Sequence, residues 1–329
     1  ATAPVSVEGS SALDCVGPFV PGGTERAFEV GGHHFVESAS TVAVTDADAD
    51  DKAVFGVLAN LKEATDENLL NLRKYVLFFE ERKVEAVLVA GDVAERQGPI
   101  VRLLEPLAAT GLPVLVVPGN HEARADFRAA LDELAKAHPN VVDMTRVRLV
   151  RFDDASIVSL PGYHDPAFIT LGEEGCQYHA EDVEALAPIV AAARGPAVLL
   201  AHAEPYGHGG MAIDAVADGN AGDARLTRFL RSGAIPFVVG ANIHEAGGRA
   251  TDLESNPVKE GEPAPRLLLN PGAADAVGWQ QRDGSRVQGL AATLTIQAGR
   301  GTFHLFRAPP LTEAELAGAR AADTTTTAP

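Results

Sequence analysis

Two stretches of sequence, VEAVLVAGDVAE (Val84–Glu95) and LPVLVVPGNHE (Leu112–Glu122), decide the fold of this 329-residue chain. Each contains a continuous apolar run that leads to a glycine and then directly to a polar residue, Asp92 or Asn120. An apolar run without alternation predicts a strand that is covered on both faces. Residues Pro99–Ala109 lie between the two runs and have helical spacing. The two stretches therefore predict a strand–helix–strand unit with parallel strands.

The same alternation of strands and helices continues on both sides of this unit. Before it, Ala53–Leu58 predicts a buried strand and Asp66–Lys83 a helix with Thr65 as its N-cap; after it, Ala123–Ala137 predicts a helix. The second half is less regular, with strands predicted at 147–152, 156–160, 197–202, 235–240, 266–272, 289–297 and 301–306, and helices at 181–194 and 223–231. We therefore expect an α/β fold, a layered sandwich of two mixed sheets flanked by helices.

Composition shifts divide the chain into three parts. Residues 1–52 are expected to form an N-terminal arm and a hairpin that turns at Gly31-Gly32, residues 53–310 the main domain, and residues 311–329 a tail that ends in the low-complexity run ADTTTTAP. The acidic run DADADD (Asp46–Asp51) lacks the glycine and the final glutamate of an EF-hand loop, so we interpret it as a solvated linker. A protein partner that holds the arm or the tail is a further expectation.

The composition also limits the partners and the compartment. A formal net charge of −18 and a pI near 4.9 repel phosphate backbones, so nucleic acid is not an expected partner. No apolar run reaches the ~20 residues of a membrane span. The opening Ala1-Thr2-Ala3-Pro4 resembles sequence that follows a cleaved signal peptide, which predicts export to the periplasm or the extracellular space. Cys15 and Cys176 would then either form a disulfide or remain two separate buried thiols.

Polar side chains follow successive predicted strands at the point where each strand ends. Asp92, Asn120, His202 and His244 each come directly or shortly after an apolar run. In open α/β sheets, chemistry collects at the carboxyl ends of the strands, and carboxylate, amide and imidazole donors suit divalent transition metals. Any one of these residues could simply cap a turn or a helix. Four of them at successive strand ends predict a metal site instead.

The chain resembles the calcineurin-like metallophosphoesterase family over about residues 53 to 307. The family motifs GD and GNH[ED] are intact as Gly91-Asp92 and Gly119–Glu122, and Leu268–Ala273 (LLNPGA) resembles a late N-P-G turn of the family. The resemblance implies an α/β sandwich that holds two metals. It also implies that His121 is the catalytic histidine that assists the leaving group.

The chain departs from the family pattern at three of eight site positions. The first motif, S-D-L-H in the family, is Ala59-Asn60-Leu61-Lys62 here, and G-H-x-H is Ala241–His244. The alternative register, with Ala59 and Leu61 in the ligand positions, loses both ligands as well. By resemblance, the ligands of the first metal site would be Asn60, Lys62, Asp92 and His244, and those of the second site Asp92, Asn120, His202 and Asn242.

Charge decides what these changes imply. The family site sets two carboxylates against two dications, whereas this chain offers one carboxylate, Asp92, and adds the ammonium of Lys62. An ammonium ~4 Å from a dication is opposed by roughly 8 kcal/mol at an effective dielectric constant near 20, and it has no lone pair to donate.

We therefore expect Lys62 to replace the first metal and to pair with Asp92. The second site would hold no metal or one divalent ion (Mn, Fe or Zn). The sequence thus predicts an exported pseudoenzyme with a hydrolase fold, a non-catalytic binding, scaffold or accessory subunit. The alternative is a mononuclear metal-dependent phosphoesterase that hydrolyses phosphate mono- or diesters.

Overall fold

The computed structural model describes residues 15–46 and 50–318 of the chain. The first 14 residues, the centre of the acidic linker and residues 319–329 lie outside the described part. Residues 1–14 of the arm and 319–329 of the tail, for which a partner was expected, therefore fall outside it.

Two β-sheets form the centre of the molecule. The smaller consists of six strands: β4 (Lys52–Leu58), β5 (Ala86–Ala90), β6 (Val114–Val117), β7 (Val141–Asp143), β19 (Leu290–Gln297) and β20 (Arg300–Arg307). Their order across the sheet is β20-β19-β4-β5-β6-β7, and β4 to β7 are parallel.

The larger sheet consists of ten strands: β1 (Glu25–Val30), β2 (His33–Ser38), β3 (Thr41–Val44), β8 (Leu149–Arg151), β9 (Ser156–Leu160), β10 (Ala197–Ala201), β13 (Phe237–Val239), β14 (Arg249–Thr251), β15 (Pro257–Val258) and β16 (Leu267–Asn270). Their order is β1-β2-β3-β8-β9-β10-β13-β16-β14-β15, with a parallel centre from β9 to β16. Two short hairpins complete the strands: β11 (Ala215–Val216) with β12 (Gly219–Asn220), and β17 (Trp279–Gln280) with β18 (Arg286–Val287).

The sheets pack face to face and helices cover their outer faces. Strand β4 shows why: Phe55 and Val57 point into the core between the sheets, while Val54 and Leu58 point to the helices on the other side. The helices are α1 (Asp66–Arg82), α2 (Gln97–Ala108) and α3 (Arg124–Ala137) on the six-stranded sheet, and α4 (Ala180–Glu184), α5 (Leu186–Ala191) and α6 (Ala224–Leu230) on the ten-stranded sheet. This arrangement confirms the predicted α/β sandwich of two mixed sheets flanked by helices.

Most predicted elements form within a few residues of their expected ends. Thr65 caps α1 as predicted, since its side chain accepts a hydrogen bond from the backbone N–H of Asn68. The prediction of a single helix over 181–194 was wrong. The structure has two short helices that meet at Ala185, three residues before Pro188. The strands at 249–251 and 257–258 and the hairpin at 279–287 were not predicted, since none contains a long apolar run.

The N-terminal segment is joined to the sandwich in three ways. Its hairpin turns at Gly31-Gly32 as predicted, and strand β3 pairs with β8, so the hairpin extends the ten-stranded sheet. Arg148, fully buried, donates a hydrogen bond to the backbone oxygen of Gly17 (2.6 Å). Cys15 and Cys176 form a disulfide, which resolves the alternative that the sequence left open. The predicted boundaries of the three segments remain a prediction.

The paired histidines of this hairpin share one partner. His33 and His34 are neighbours in β2, and neighbouring side chains of a strand face opposite ways, yet both Nδ1 atoms lie near the carboxylate of Asp46, at 3.2 and 2.7 Å. Asp46 follows strand β3, and its two carboxylate oxygens lie near one histidine each. We interpret this cluster as structural.

Candidate functional site

The carboxyl ends of strands from both sheets meet at one edge of the sandwich. Backbone hydrogen bonds join the loops there: the N–H of Asn60 donates to the oxygen of Gly91 (3.0 Å), and that of Lys62 to the oxygen of Asp92 (3.1 Å). Asn60, Lys62 and Asp92 all have positive φ (54°, 65° and 55°). Left-handed backbone is costly for residues other than glycine and is concentrated at functional sites. The strand-end loops therefore hold these three side chains in strained, well-determined positions.

Asp92 lies at the centre of the site and is 1% exposed. Its Oδ1 accepts hydrogen bonds from the backbone N–H groups of Asn120 and His121, both at 3.1 Å. Its Oδ2 accepts a hydrogen bond from the ammonium of Lys62, so the predicted pairing of these two residues is present. Burial works to raise the pKa of Asp92, but His202, Lys62 and His121 together hold that pKa well below its ordinary range. Asp92 is therefore an ionised, buried carboxylate.

Gly119 is required for this arrangement. A Cβ atom on Gly119 would lie 2.2 Å from Oδ1 of Asp92 and 2.8 Å from Nε2 of His202. Only glycine lets the loop after β6 approach the carboxylate closely enough to donate its N–H groups.

Three electron-pair donors lie close together, one each from Asp92, Asn120 and His202. Nε2 of His202 lies 3.3 Å from Oδ1 of Asp92 and 3.0 Å from Oδ1 of Asn120. The Asn120 amide is oriented by its Nδ2, which donates to the backbone oxygen of Phe168 (2.7 Å). Nδ1 of His202 faces the backbone oxygen of Ala90 (2.8 Å), so its proton is on Nδ1. Burial lowers the pKa of His202, which favours the neutral ring; in that state Nε2 carries a lone pair that faces two oxygens.

The remaining predicted ligands do not converge in this way. The amide of Asn60 donates through Nδ2 to the backbone oxygen of Ala241 (2.6 Å), and its buried Oδ1 has no hydrogen-bond partner among the described residues. Asn242 donates through Nδ2 to the hydroxyl of Tyr163 (2.9 Å). His244 packs edge-on against Trp279, with ring centroids 3.9 Å apart. Burial, with Lys62 nearby, lowers the pKa of His244 to about 3, so its ring is neutral.

His121 reaches the same carboxylate from the solvent side. Its Nε2 lies 3.7 Å from Oδ2 of Asp92, its Nδ1 lies 4.0 Å from Glu95, and its side chain is one-third exposed. It could exchange a proton with a ligand in the cleft above it. Its assignment as the catalytic residue remains a prediction from the resemblance.

A cleft of about 1330 Å³ opens above Lys62 and His121. Asp275, Val277 and Trp279 line one side of it. The indole Nε1 of Trp279 donates to Oδ1 of Asp275 (2.9 Å), and burial raises the pKa of Asp275 to about 6. Asp275 was not predicted from the sequence, because an Asp after Ala-Ala in a loop carries no distinctive signal.

Two more buried groups were missed. Glu122 accepts hydrogen bonds from the backbone N–H groups of Val93 (2.6 Å) and Gly119 (2.8 Å), and so ties the GD loop to the GNHE loop. Burial, reinforced by Asp92, raises the pKa of Glu122 to about 8. Tyr163 contacts Asn242. Glu122 belongs to the intact motif and could have been found from it, whereas Tyr163 comes from a loop with no such signal.

Comparison with known proteins identifies the family. The sequence profile of the calcineurin-like phosphoesterases matches residues 55–246, so the chain belongs to this family. Among solved structures, TT1561 of Thermus thermophilus is similar at 14% identity, with a TM-score of 0.52, over 78% of this chain and 98% of that one. A dimetal phosphatase from Danio rerio gives 14% identity over the same shares, with a TM-score of 0.48.

These likenesses show the fold alone. No curated protein was found that matches the chain. Across residues 15–46 and 50–318, no three His, Cys, Asp or Glu side chains are grouped as metal ligands, although the family normally depends on two metals. In the same ranges, no helix is both long enough and apolar enough to cross a bilayer.

Proposed function

We propose that this chain is a non-catalytic member of the calcineurin-like phosphoesterase family, an exported binding, scaffold or accessory subunit that has lost the two-metal centre. The observation that carries the proposal is the ion pair between Lys62 and Asp92. By resemblance, Asp92 would bridge two metals and the position of Lys62 would supply a ligand to the first.

The residues of the first site do not fit a metal ion. Lys62 presents an ammonium, which repels a dication and has no lone pair. Asn60 uses its amide nitrogen on Ala241 and leaves a single amide oxygen, a weak ligand. Only His244 retains a neutral imidazole. The two-metal activation of water and clamping of phosphate that the family uses therefore has no support from this chain.

The residues of the second site fit one divalent ion better, which favours the second candidate function. Donors that share an ion at about 2.1 Å lie about 3 Å apart, which is close to the distances from Nε2 of His202 to Oδ1 of Asp92 (3.3 Å) and to Oδ1 of Asn120 (3.0 Å). A cation between the lone pair of Nε2 and these two oxygens would also remove the electrostatic repulsion among the three donors. Such an ion would supply a Lewis acid, and the chain's own part would be proton transfer by His121. This alternative is a mononuclear phosphoesterase.

An assay of hydrolysis separates the two functions. The purified chain is tested on aryl phosphate mono- and diesters with added manganese, zinc or iron, beside Asp92→Ala and the surface variant Glu81→Gln. The proposal predicts no metal-dependent turnover above that of Asp92→Ala. Turnover that requires one metal and is abolished by Asp92→Ala but not by Glu81→Gln would support the mononuclear enzyme and refute the non-catalytic function.

Export is supported by the disulfide between Cys15 and Cys176, because such bonds persist in oxidising compartments. Expression of the gene with its native upstream sequence, followed by fractionation, tests this part of the proposal. Recovery of the chain in a reducing cytoplasm with both thiols free would contradict it.

A further inference from the structure

The cleft above the site is large enough to hold a small organic ligand. Its volume of about 1330 Å³ exceeds that of most ligand pockets. At its inner end, the Lys62–Asp92 pair supplies one positive and one negative charge. This inference rests on the proposed function, because the inner end is neutral only while Lys62 stands in place of a metal.

The cations that line the cleft are already neutralised. Each has a carboxylate partner: Asp92 for Lys62, Glu174 for Arg96 (2.7 Å), and Asp66 for Arg102 (3.9 Å). None of the three is therefore available to an incoming phosphate without loss of an existing ion pair.

Carboxylates in the cleft outnumber these cations. Besides Asp92, the lining includes Glu63, Glu67, Glu95 and Asp275. Glu63 and Glu67 have no salt-bridge partner within the described residues. Negative charges that line a shared cleft repel an anion and attract a cation. The cleft is therefore an unfavourable place for a phosphoester unless a metal is present.

The remaining wall is apolar and aromatic. Trp279 presents part of its indole to the cleft, and Val277, which is 58% exposed, lies beside it with Ala276. A cation over an indole face is attracted by the ring quadrupole, and the apolar side chains can cover a hydrocarbon body. The cleft is therefore lined by an aromatic and apolar wall on one side and by carboxylates elsewhere.

We propose that this cleft binds a ligand that carries an ammonium or guanidinium group on an apolar body. Two sources share that chemistry: a free organic amine, and a lysine or arginine side chain presented by a peptide. The carboxylates would hold the cationic head, and Trp279 with Val277 would cover the body.

Binding of matched probes tests the charge preference. Phenethylammonium, phenethyl alcohol and phenyl phosphate carry the same ring with a positive, neutral or negative head. Each is titrated calorimetrically into the full chain, with EDTA, at low ionic strength and mildly alkaline pH. An acetylated, amidated Gly-Arg-Gly tripeptide tests the peptide source. The inference predicts that phenethylammonium or the tripeptide binds and that phenyl phosphate does not.

Variants locate the binding. Glu67→Gln is expected to weaken amine binding by about three- to fivefold, since one nearby carboxylate is removed at low salt. Glu81→Gln, at the other end of the same helix and about 20 Å away, should leave affinity unchanged. Trp279→Leu should weaken binding further, whereas Trp279→Phe should retain most of it. Circular dichroism and thermal melting of each variant verify folding.

Two outcomes would overturn the inference: phenyl phosphate binds more tightly than phenethylammonium in EDTA, or Glu67→Gln and Glu81→Gln have equal amine affinity. These outcomes are distinct from failure of the proposed function. Phenyl phosphate that turns over only after manganese is added contradicts the non-catalytic function and leaves the charge preference in EDTA standing.

Discussion

Removal of the Lys62 ammonium should strongly destabilise the fold. Lys62→Met keeps most of the length of the side chain, and both residues place a Cβ in the left-handed backbone conformation, so the lost charge is the main difference. The change leaves Asp92, 1% exposed, with an unpaired Oδ2. A buried ion that loses its partner costs about 3–5 kcal/mol.

The structure places the cost near the lower end of that range. Oδ1 of Asp92 keeps its two backbone N–H donors, and His121, 3.7 Å away, can approach Oδ2. We therefore expect Lys62→Met to lower the free energy of unfolding by about 3 kcal/mol. Lys136→Met, an exposed lysine in the last turn of α3, should cost less than about 1 kcal/mol.

A double-mutant cycle isolates the interaction. Asp92→Asn in the Lys62→Met background removes both charges, so the double variant should be more stable than Lys62→Met alone, with a coupling energy of about 2 kcal/mol. Urea unfolding measures all four proteins. The folded pKa of Asp92 is depressed, so its contribution is present above its unfolded pKa and is lost as the pH falls through the folded one. The deficit of Lys62→Met should therefore shrink in acid. A stable Lys62→Met protein, or additive single effects, would refute the reasoning.

Three further predictions concern the surroundings of the site. Trp279, the only tryptophan, should show a fluorescence transition near pH 6 as Asp275 ionises; a transition unchanged in Asp275→Asn would contradict this. Because the folded pKa of Asp275 is raised, its stabilising contribution is complete below its unfolded pKa and is lost as the pH rises through about 6. Gly119→Ala should unfold at a markedly lower urea concentration, since the added Cβ would clash with Asp92. Gly98→Ala, with open space around it, should be neutral or stabilising by up to about 1 kcal/mol. Equal effects of the two substitutions would show that Gly119 is not constrained. Cys176→Ser should lower the free energy of unfolding by roughly 4–5 kcal/mol, the chain-entropy value for so long a loop. Reductant should lower the stability of the parent protein and leave that of the variant unchanged. A parent protein whose stability is insensitive to reductant would argue against the disulfide.

The sequence allowed the sandwich and the pairing of Lys62 with Asp92 to be predicted, for identifiable reasons. Buried parallel strands such as Ala86–Ala90 are unbroken apolar runs, and a glycine and a polar residue follow directly, so both the strand and its chemistry appear in one short stretch. The pairing of Lys62 with Asp92 followed from charge arithmetic, because an ammonium and a carboxylate at one sheet edge have few other partners.

What could not be predicted depends on contacts between distant segments. The hairpin that carries Trp279 has strands of two residues each, too short for any periodicity. The approach of Tyr163 to Asn242 and the shared Asp46 between His33 and His34 both depend on loop conformation. The tautomer of His202 is set by the backbone oxygen of Ala90, 112 residues away in the chain, and no local pattern encodes it.

The most direct test of the central claim is an anomalous difference map of crystals grown with excess manganese. The account predicts no peak beside His244, at most one peak among Asp92, Asn120 and His202, and a Lys62 ammonium that remains against Asp92. Two peaks bridged by Asp92, with Lys62 displaced into the cleft, would contradict it.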